Sequence, residues 1–310
     1  MKFETSPAVE LLHSCYASYV DHHNSTSILH PFWIEINNIY TGYRGCYTKE
    51  PFTEQPMTEM EETKLRNKAL AWYEGAKKPD QYNYPSCYKS EASGRINCLS
   101  NGQEVQGFTQ ADKFGSEVWC DADTWWNGNI SKYGKESWLL FLRKCAFINA
   151  HLNHESPFEH ANLTFHVNCS RSCSHQLVRH RIASYSQASQ RYIGENNSEI
   201  ETILPTGIMV KPEVVEMVKD YLNQLPELIT KLKELGVKNE DIRCIYPNAI
   251  TTQLVITMNY RELRHFFKLR IDSHAQEEIR RVAYEVWRNL NRFMPFIWTD
   301  CWDRKVSHLI

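Results

Sequence analysis

The chain has 310 residues, 42% of them hydrophobic, which is ample for one large core or two modest ones. Its 35 basic residues against 37 acidic ones leave a net charge of −2, so no global field exists to hold a polyanion, and the balance argues against a protein that coats nucleic acid or rides a membrane surface. The longest apolar runs are only a handful of residues, far short of a membrane span, and the opening Met-Lys-Phe-Glu-Thr-Ser-Pro lacks the apolar stretch of a secretory signal.

The ten cysteines are scattered at 15, 46, 87, 98, 120, 145, 169, 173, 244 and 301, and a chain of this size does not need disulfides to hold it. They read as reduced thiols in a cytoplasmic protein. Up to Glu136 the sequence is rich in Tyr, Asn, Ser, Thr and Trp and shows little helical periodicity. The stretch from Pro79 to Gly134 reads as loops and short strands, and its aromatics argue against disorder.

From Lys135 the pattern sharpens. Trp138, Leu139, Phe141, Leu142, Cys145 and Ala146 recur at helical spacing, in a helix expected to end near Asn153. Ala161 to Val167 alternates like a strand, and Cys169 to Val178 resumes a helical pattern. Val214, Val218, Tyr221, Leu222, Leu225, Leu228, Ile229 and Leu232 form one stripe of a long helix begun by Pro212. Leu254 to Met258 predicts a strand, Arg261 to Leu269 a short helix, and Ala275 to Phe293 a second long helix. The sum is a mixed α/β domain in which helices cover a sheet whose strands are not in strict βαβ order.

The densest chemistry lies in Arg179-His180-Arg181-Ile182-Ala183-Ser184-Tyr185-Ser186-Gln187-Ala188-Ser189-Gln190-Arg191-Tyr192. Arginine forks grip phosphate with two prongs, and the interleaved hydroxyls and amides can read a base edge. No glycine-rich phosphate loop and no GxGxxG fingerprint is present, so side chains must hold any dinucleotide. Cys169 and Cys173, with His166 and His175 nearby, lack a second pair at zinc-finger spacing, and no metal is expected. Trp119, Trp125 and Trp126 suit either core packing or a stacking platform.

Arg-His-Arg, seven residues, then Ser resembles the signature of the flavin-dependent thymidylate synthases, the thymidylate synthase complementing protein family. Two further blocks agree in order and spacing: His154-Glu-Ser156-Pro-Phe-Glu159-His160 upstream, and Asn259-Tyr-Arg261-Glu-Leu-Arg-His265-Phe-Phe-Lys-Leu-Arg270-Ile-Asp-Ser-His274-Ala-Gln276 downstream.

The resemblance implies an α+β fold with a central, mostly antiparallel sheet flanked by helices, assembled as a homotetramer with active sites at subunit junctions. It implies a single catalytic domain over residues 1–310. The family core would be about 137–310 with an N-terminal segment at about 29–50, leaving 51–136 as an insertion of unknown role. Ile39 to Glu50 resembles the family's early segment, and Ser86 to Glu91 echoes it.

The implied activity is reductive methylation of dUMP to dTMP, with methylenetetrahydrofolate as carbon donor and NADPH as reductant through bound FAD. The implied partners are these small molecules, not nucleic acid or membrane. Gln176, Arg179, Gln187, Ser189, Arg191, Arg243 and Arg270 would hold the nucleotide. His154, Ser156, Glu159, Arg179, His180, Arg181, Asn259, Arg261, His265 and His274 would hold the flavin. Arg179, Ser189 and Arg270 would carry the catalytic positioning, with Arg179 polarising the uracil carbonyls. Ser189 would orient substrate without acting as a nucleophile, since no base is identifiable beside it.

The chain departs from the family pattern at Ser186-Gln187, usually Asn-Glu, and at His265, where Asn is common. Gln187 and the insertion point to an alternative, a same-fold transferase acting on a different pyrimidine nucleotide by methyl or hydroxymethyl transfer. A catalytically silent nucleotide- or RNA-binding homologue is a third possibility.

Overall fold

The computed structural model describes residues 3–4, 8–13, 33–47, 57–81, 99–100, 103–104, 121–190 and 201–301. Six strands form the principal sheet in the order β4-β3-β2-β5-β8-β6. The long pair at its centre is β5 (Asn162–Ser170) against β8 (Thr251–Asn259), antiparallel from Asn162↔Asn259 to Ser170↔Thr251. β2 (Ala8–His13) extends one side of β5 and β6 (Ala183–Gln187) lines the free side of β8, both antiparallel. β3 (Leu99–Ser100) pairs parallel to β2 and antiparallel to β4 (Gln103–Glu104). A separate parallel pair joins β1 (Phe3–Glu4) to β7 (Thr202–Ile203). The expected mostly antiparallel sheet with flanking helices is therefore present.

Alternation decides the faces. Leu163, Phe165, Val167 and Cys169 of β5 and Leu254, Ile256 and Met258 of β8 are all buried. Over this face lie α5 (Arg171–Leu177), α10 (Tyr260–Arg270) and α11 (Glu277–Phe293). Their inward residues Leu263, Phe266, Phe267, Ile279, Val282, Val286 and Leu290 complete the core.

Two readings of the sequence are corrected. The region before Glu136 is not poor in helix: α1 (Trp33–Tyr47), α2 (Glu59–Gln81) and α3 (Ala122–Tyr133) precede the predicted helix, which is α4 (Lys135–Ala150). Local signals account for them. Thr58 and Glu61 form a reciprocal capping box at the start of α2, with Thr58 N donating to Glu61 Oε2 over 2.9 Å and Glu61 N to Thr58 Oγ1 over 3.3 Å. Asp121 caps α3 by accepting from Thr124 N at 2.9 Å, and Gly134 stops that helix at φ +81°. Leu65, Ala69, Trp126 and Tyr133 from these helices enter the principal core beside Trp138.

The second correction is the long helix from Pro212. It is two helices, α7 (Pro212–Asn223) and α8 (Leu225–Glu234), meeting at Gln224. Pro226 has no N–H to continue the ladder and serves instead in the first turn of α8. Leu222, Leu225 and Ile229 still share a small core of their own with Leu204 and Ile242.

Among the described residues no helix is long and apolar enough to cross a membrane. The cysteines at 145, 169, 173, 244 and 301 are free thiols, and only Cys244 of these is exposed.

Candidate functional site

Helix α10 is the element on which the site is built. Asn259 caps it, its side chain accepting from Glu262 N at 2.8 Å, and Lys268 and Arg270 fall in the last turn where the helix dipole favours cations. Asn259 thus has a structural task in the free chain.

The turn carrying the upstream block, Ser156–His160, lies against this helix. Arg261 pairs with Glu159, and Lys268 Nζ donates to Glu155 Oε1 over 2.7 Å. The turn is fixed from behind by α1. Tyr43 Oη donates to the carbonyls of His151 (2.8 Å) and His154 (2.7 Å). A Cβ at Gly42 would stand 2.7 Å from His160 Cδ2 and 3.2 Å from Pro157 Cβ, so a glycine lets α1 approach this closely. His154, Ser156 and Glu159 are exposed on this turn.

The Arg179-His180-Arg181 turn joins α5 to β6 and meets the other end of α10. Ser170 caps α5, accepting from Cys173 N at 3.0 Å, while Glu278 of α11 holds Ser170 N and Oγ at 2.7 and 2.5 Å. The Tyr185 hydroxyl on β6 lies 2.8 Å from Leu177 O and 2.9 Å from His180 O, so one O–H spans the carbonyls on either side of the turn. Within the turn Arg179 and Arg181 are exposed and His180 is buried, with 4% of its surface accessible.

His180 is the junction. Arg270 Nε donates to its Nε2 over 2.9 Å, and its Nδ1 faces Glu262 Oε1 at 3.4 Å. Phe266 meets the ring edge-on at 4.9 Å and His265 lies 6.2 Å away. Burial, then the charge of Arg270, then His265, push the imidazole down to about 4, so it is neutral at physiological pH. Burial raises the Glu262 carboxyl, against the attraction of His265 and a hydrogen bond from the Ile182 N–H.

Gln176 bonds the side chain of Gln276 at the head of α11. Gln187, on β6, donates inward to Ser174 Oγ (3.0 Å) and Thr252 Oγ1 (3.3 Å). Ser189 follows β6, half-buried, and Arg191 lies outside the described residues.

Arg243 and His274 are not brought to the His180 junction. Arg243 donates through Nε to Glu240 O at 3.0 Å and stands at the opposite end of α5, where the following loop binds Arg171 N and Ser172 N through the carbonyls of Ile250 and Asn248. Burial and the neighbouring Arg243 charge lower the Arg171 guanidinium. His274 is solvent-exposed and bonds Asp272 at 2.7 Å.

The sequence reading missed Glu262, Tyr185 and Arg171. Glu262 stands three residues after an N-cap Asn, a spacing that signals ordinary capping, yet its side chain turns inward to His180. Tyr185 alternates correctly for the inner face of a strand, a signal hidden inside the polar motif. Trp125 stacks on Tyr73 at 4.5 Å and Trp126 is buried, so these two rings pack the core, while Trp119 lies outside the described residues. Among the described residues, no group of three or more His, Cys, Asp or Glu could hold a metal ion.

The donor set fits a dinucleotide flavin and a nucleotide phosphate. Exposed guanidiniums at 179, 181 and 261 offer forked cationic donors to phosphate oxygens, and the exposed imidazoles at 154 and 265 border the same helix. The buried carboxylate oxygen Glu262 Oε1 has no hydrogen-bond partner.

Residues 121–296 match the sequence model of a family described as thymidylate synthase complementing protein. Over 136 residues the chain is 50% identical to a Thermococcus kodakarensis protein named flavin-dependent thymidylate synthase, a match covering 43% of this chain and 56% of that protein. A Pyrococcus furiosus protein of the same name is 48% identical over 171 residues, 52% of this chain and 70% of that one. In Geobacter sulfurreducens the corresponding protein is 41% identical over 150 residues, 48% and 65% of the two chains. The chain thus spans little more than half the length of the first of these relatives.

Proposed function

Since the chain belongs to the thymidylate synthase complementing protein family, we propose that it catalyses the reductive methylation of deoxyuridylate to thymidylate. The carbon donor is methylenetetrahydrofolate and the reductant is NADPH. Bound FAD supplies the hydride-transfer chemistry that no side chain can provide. The carbon joins C5 of uracil as a methylene, C5 loses its proton, tetrahydrofolate leaves, and two reducing equivalents complete the methyl group.

The observation that carries this reading is the meeting of all three motif blocks on α10, with Arg270 bonded to His180 at its end. The residues bind, orient and polarise. His154, Ser156, Glu159, Arg261 and His265, with His180 and Arg181, border the flavin. Asn259 contributes by capping the helix that presents them. Arg270, Arg179, Gln176, Ser189 and Arg191 address the nucleotide. Arg179 polarises a uracil carbonyl, lowering the cost of charge that develops on the ring.

Arg243 and His274 stand apart from this junction, which supports a site shared between copies of the chain in a homotetramer. They would then serve a neighbour's site. The protein is read as a cytoplasmic enzyme.

A different pyrimidine substrate gains no support from Gln187, because its amide is turned inward to Ser174 and Thr252 rather than freed for an altered base edge. The test is the absorbance spectrum of purified protein, followed by NADPH oxidation with and without deoxyuridylate. A flavin band and nucleotide-dependent oxidation are expected. Protein that neither carries FAD nor takes it up would refute the assignment.

A further inference from the structure

His180 presents two nitrogens to two different partners, and their chemistry constrains its proton. Arg270 Nε–H can only donate, so Nε2 of His180 must carry a lone pair. A neutral imidazole then has its proton on Nδ1. That proton faces Glu262 Oε1 at 3.4 Å, longer than a full hydrogen bond. This same oxygen is buried and otherwise without a partner. An acceptor lacking a donor therefore looks onto a donor lacking an acceptor. Glu262 is fixed for the purpose, because Asn259 accepts from its N–H at the head of α10.

We propose that Glu262 is a positioning residue: it holds His180 as the Nδ1–H tautomer, so that Nε2 anchors Arg270 and leaves both Nη groups of that arginine to the nucleotide. The proposal rests on the nucleotide assignment of Arg270 made above. Without the carboxylate, the tautomer protonated on Nε2 becomes available. It would set two donors against each other, and Arg270 would swing away.

The experiment uses full-length protein labelled with 15N-histidine, with solid-state NMR reading the ring nitrogens near neutral pH and His180→Gln assigning the signal. Deoxyuridylate affinity is measured alongside by calorimetry. Wild type should show a protonated Nδ1 and a bare Nε2. Glu262→Ala should populate the Nε2–H form and weaken deoxyuridylate binding by about tenfold or more. Glu262→Gln, whose amide oxygen can accept from Nδ1–H, should restore both to near wild type, whereas Glu262→Met, which fills similar space without an acceptor, should not; equal rescue by both would mean a merely space-filling role and overturn the proposal.

A wild-type His180 protonated on Nε2, or a Glu262→Ala protein with unchanged tautomer and affinity, would overturn the proposal. Expected tautomers in a wild-type protein that binds no deoxyuridylate would instead overturn the nucleotide assignment, and with it only the aiming of Arg270.

Discussion

Arg270 donates its Nε hydrogen to His180 Nε2 over 2.9 Å, tying a residue of the downstream block to the centre of the Arg-His-Arg turn. The bond uses one face of the guanidinium and leaves its forked end free. It also joins a residue proposed for the nucleotide to one proposed for the flavin.

Arg270→Ala should weaken deoxyuridylate binding by about 2–4 kcal/mol, as when one partner of a charge-assisted contact is removed. Arg270→Lys should recover little, because an ammonium cannot bond His180 and also present a planar fork. Arg179→Ala should cost a similar amount, since its exposed guanidinium is free to take the ligand. Isothermal calorimetry of the three variants checks this. Unchanged affinity in both alanine variants would remove these residues from the nucleotide site.

His180 makes folding pH-dependent. Its folded pKa of about 4 lies below its ordinary 6.5, so between those values the unfolded chain binds the proton and the folded chain does not. Stability contributed by the neutral ring is complete above pH 6.5 and is lost as pH falls toward 4, by at most about 3 kcal/mol. Arg270 and His265 oppose protonation of the ring, while Glu262 faces Nδ1 and favours it. The raised carboxyls of Glu262 and Glu278 titrate with the opposite sign, losing stability as pH rises above 4.5. Urea unfolding of wild type and His180→Gln from pH 4 to 7 isolates the histidine: the difference between the two should shrink as the pH is lowered.

Gln187→Glu should lower stability by about 1 kcal/mol and activity by less than about tenfold. Ser174 donates its hydroxyl hydrogen to Arg171 O at 2.9 Å and so accepts from the Gln187 amide. A carboxylate would need that hydroxyl to turn away, whereas Thr252 could still donate to it. Thermal unfolding and product analysis by mass should find thymidylate from both proteins. Thymidylate from the Glu variant alone would mean that Gln187 has reassigned the substrate.

Asp300→Ala should destabilise the fold by about 2–3 kcal/mol. Arg264 is 1% exposed, and Asp300 holds its two Nη groups at 2.9 and 2.5 Å, while Ile297 O accepts a further bond at 2.5 Å. Removing the carboxylate leaves a buried cation with Glu155, 3.8 Å from Nε, as its nearest remaining counter-charge. Denaturant unfolding measures the loss, and a change under about 0.5 kcal/mol would show the pair to be dispensable.

The strands and helices from Lys135 onward were legible because their apolar residues repeat at the period of the element they form, as in Leu163, Phe165 and Val167 or Ile279, Val282 and Val286. The helices at 59–81 and 122–133 were hidden by polar composition. Their capping signals, Thr58 with Glu61 and Asp121 with Gly134, are short and were outweighed by aromatic, asparagine-rich surroundings. The break at Gln224 was masked because the apolar stripe continues through it, although Pro226 marked the place. The motif blocks announced Arg179, His180 and Arg270, whereas Glu262 and Tyr185 act through tertiary contacts that no spacing along the chain encodes.

Deoxyuridylate, methylenetetrahydrofolate, NADPH and FAD supplied to the purified protein, with the nucleotide product weighed, decide whether the chain makes thymidylate. A gain of one CH2, giving thymidylate, with carbon from labelled methylenetetrahydrofolate, is the result expected. Flavin-loaded, folded protein that returns deoxyuridylate unchanged, or a product with the mass of a hydroxymethyl group, would contradict it.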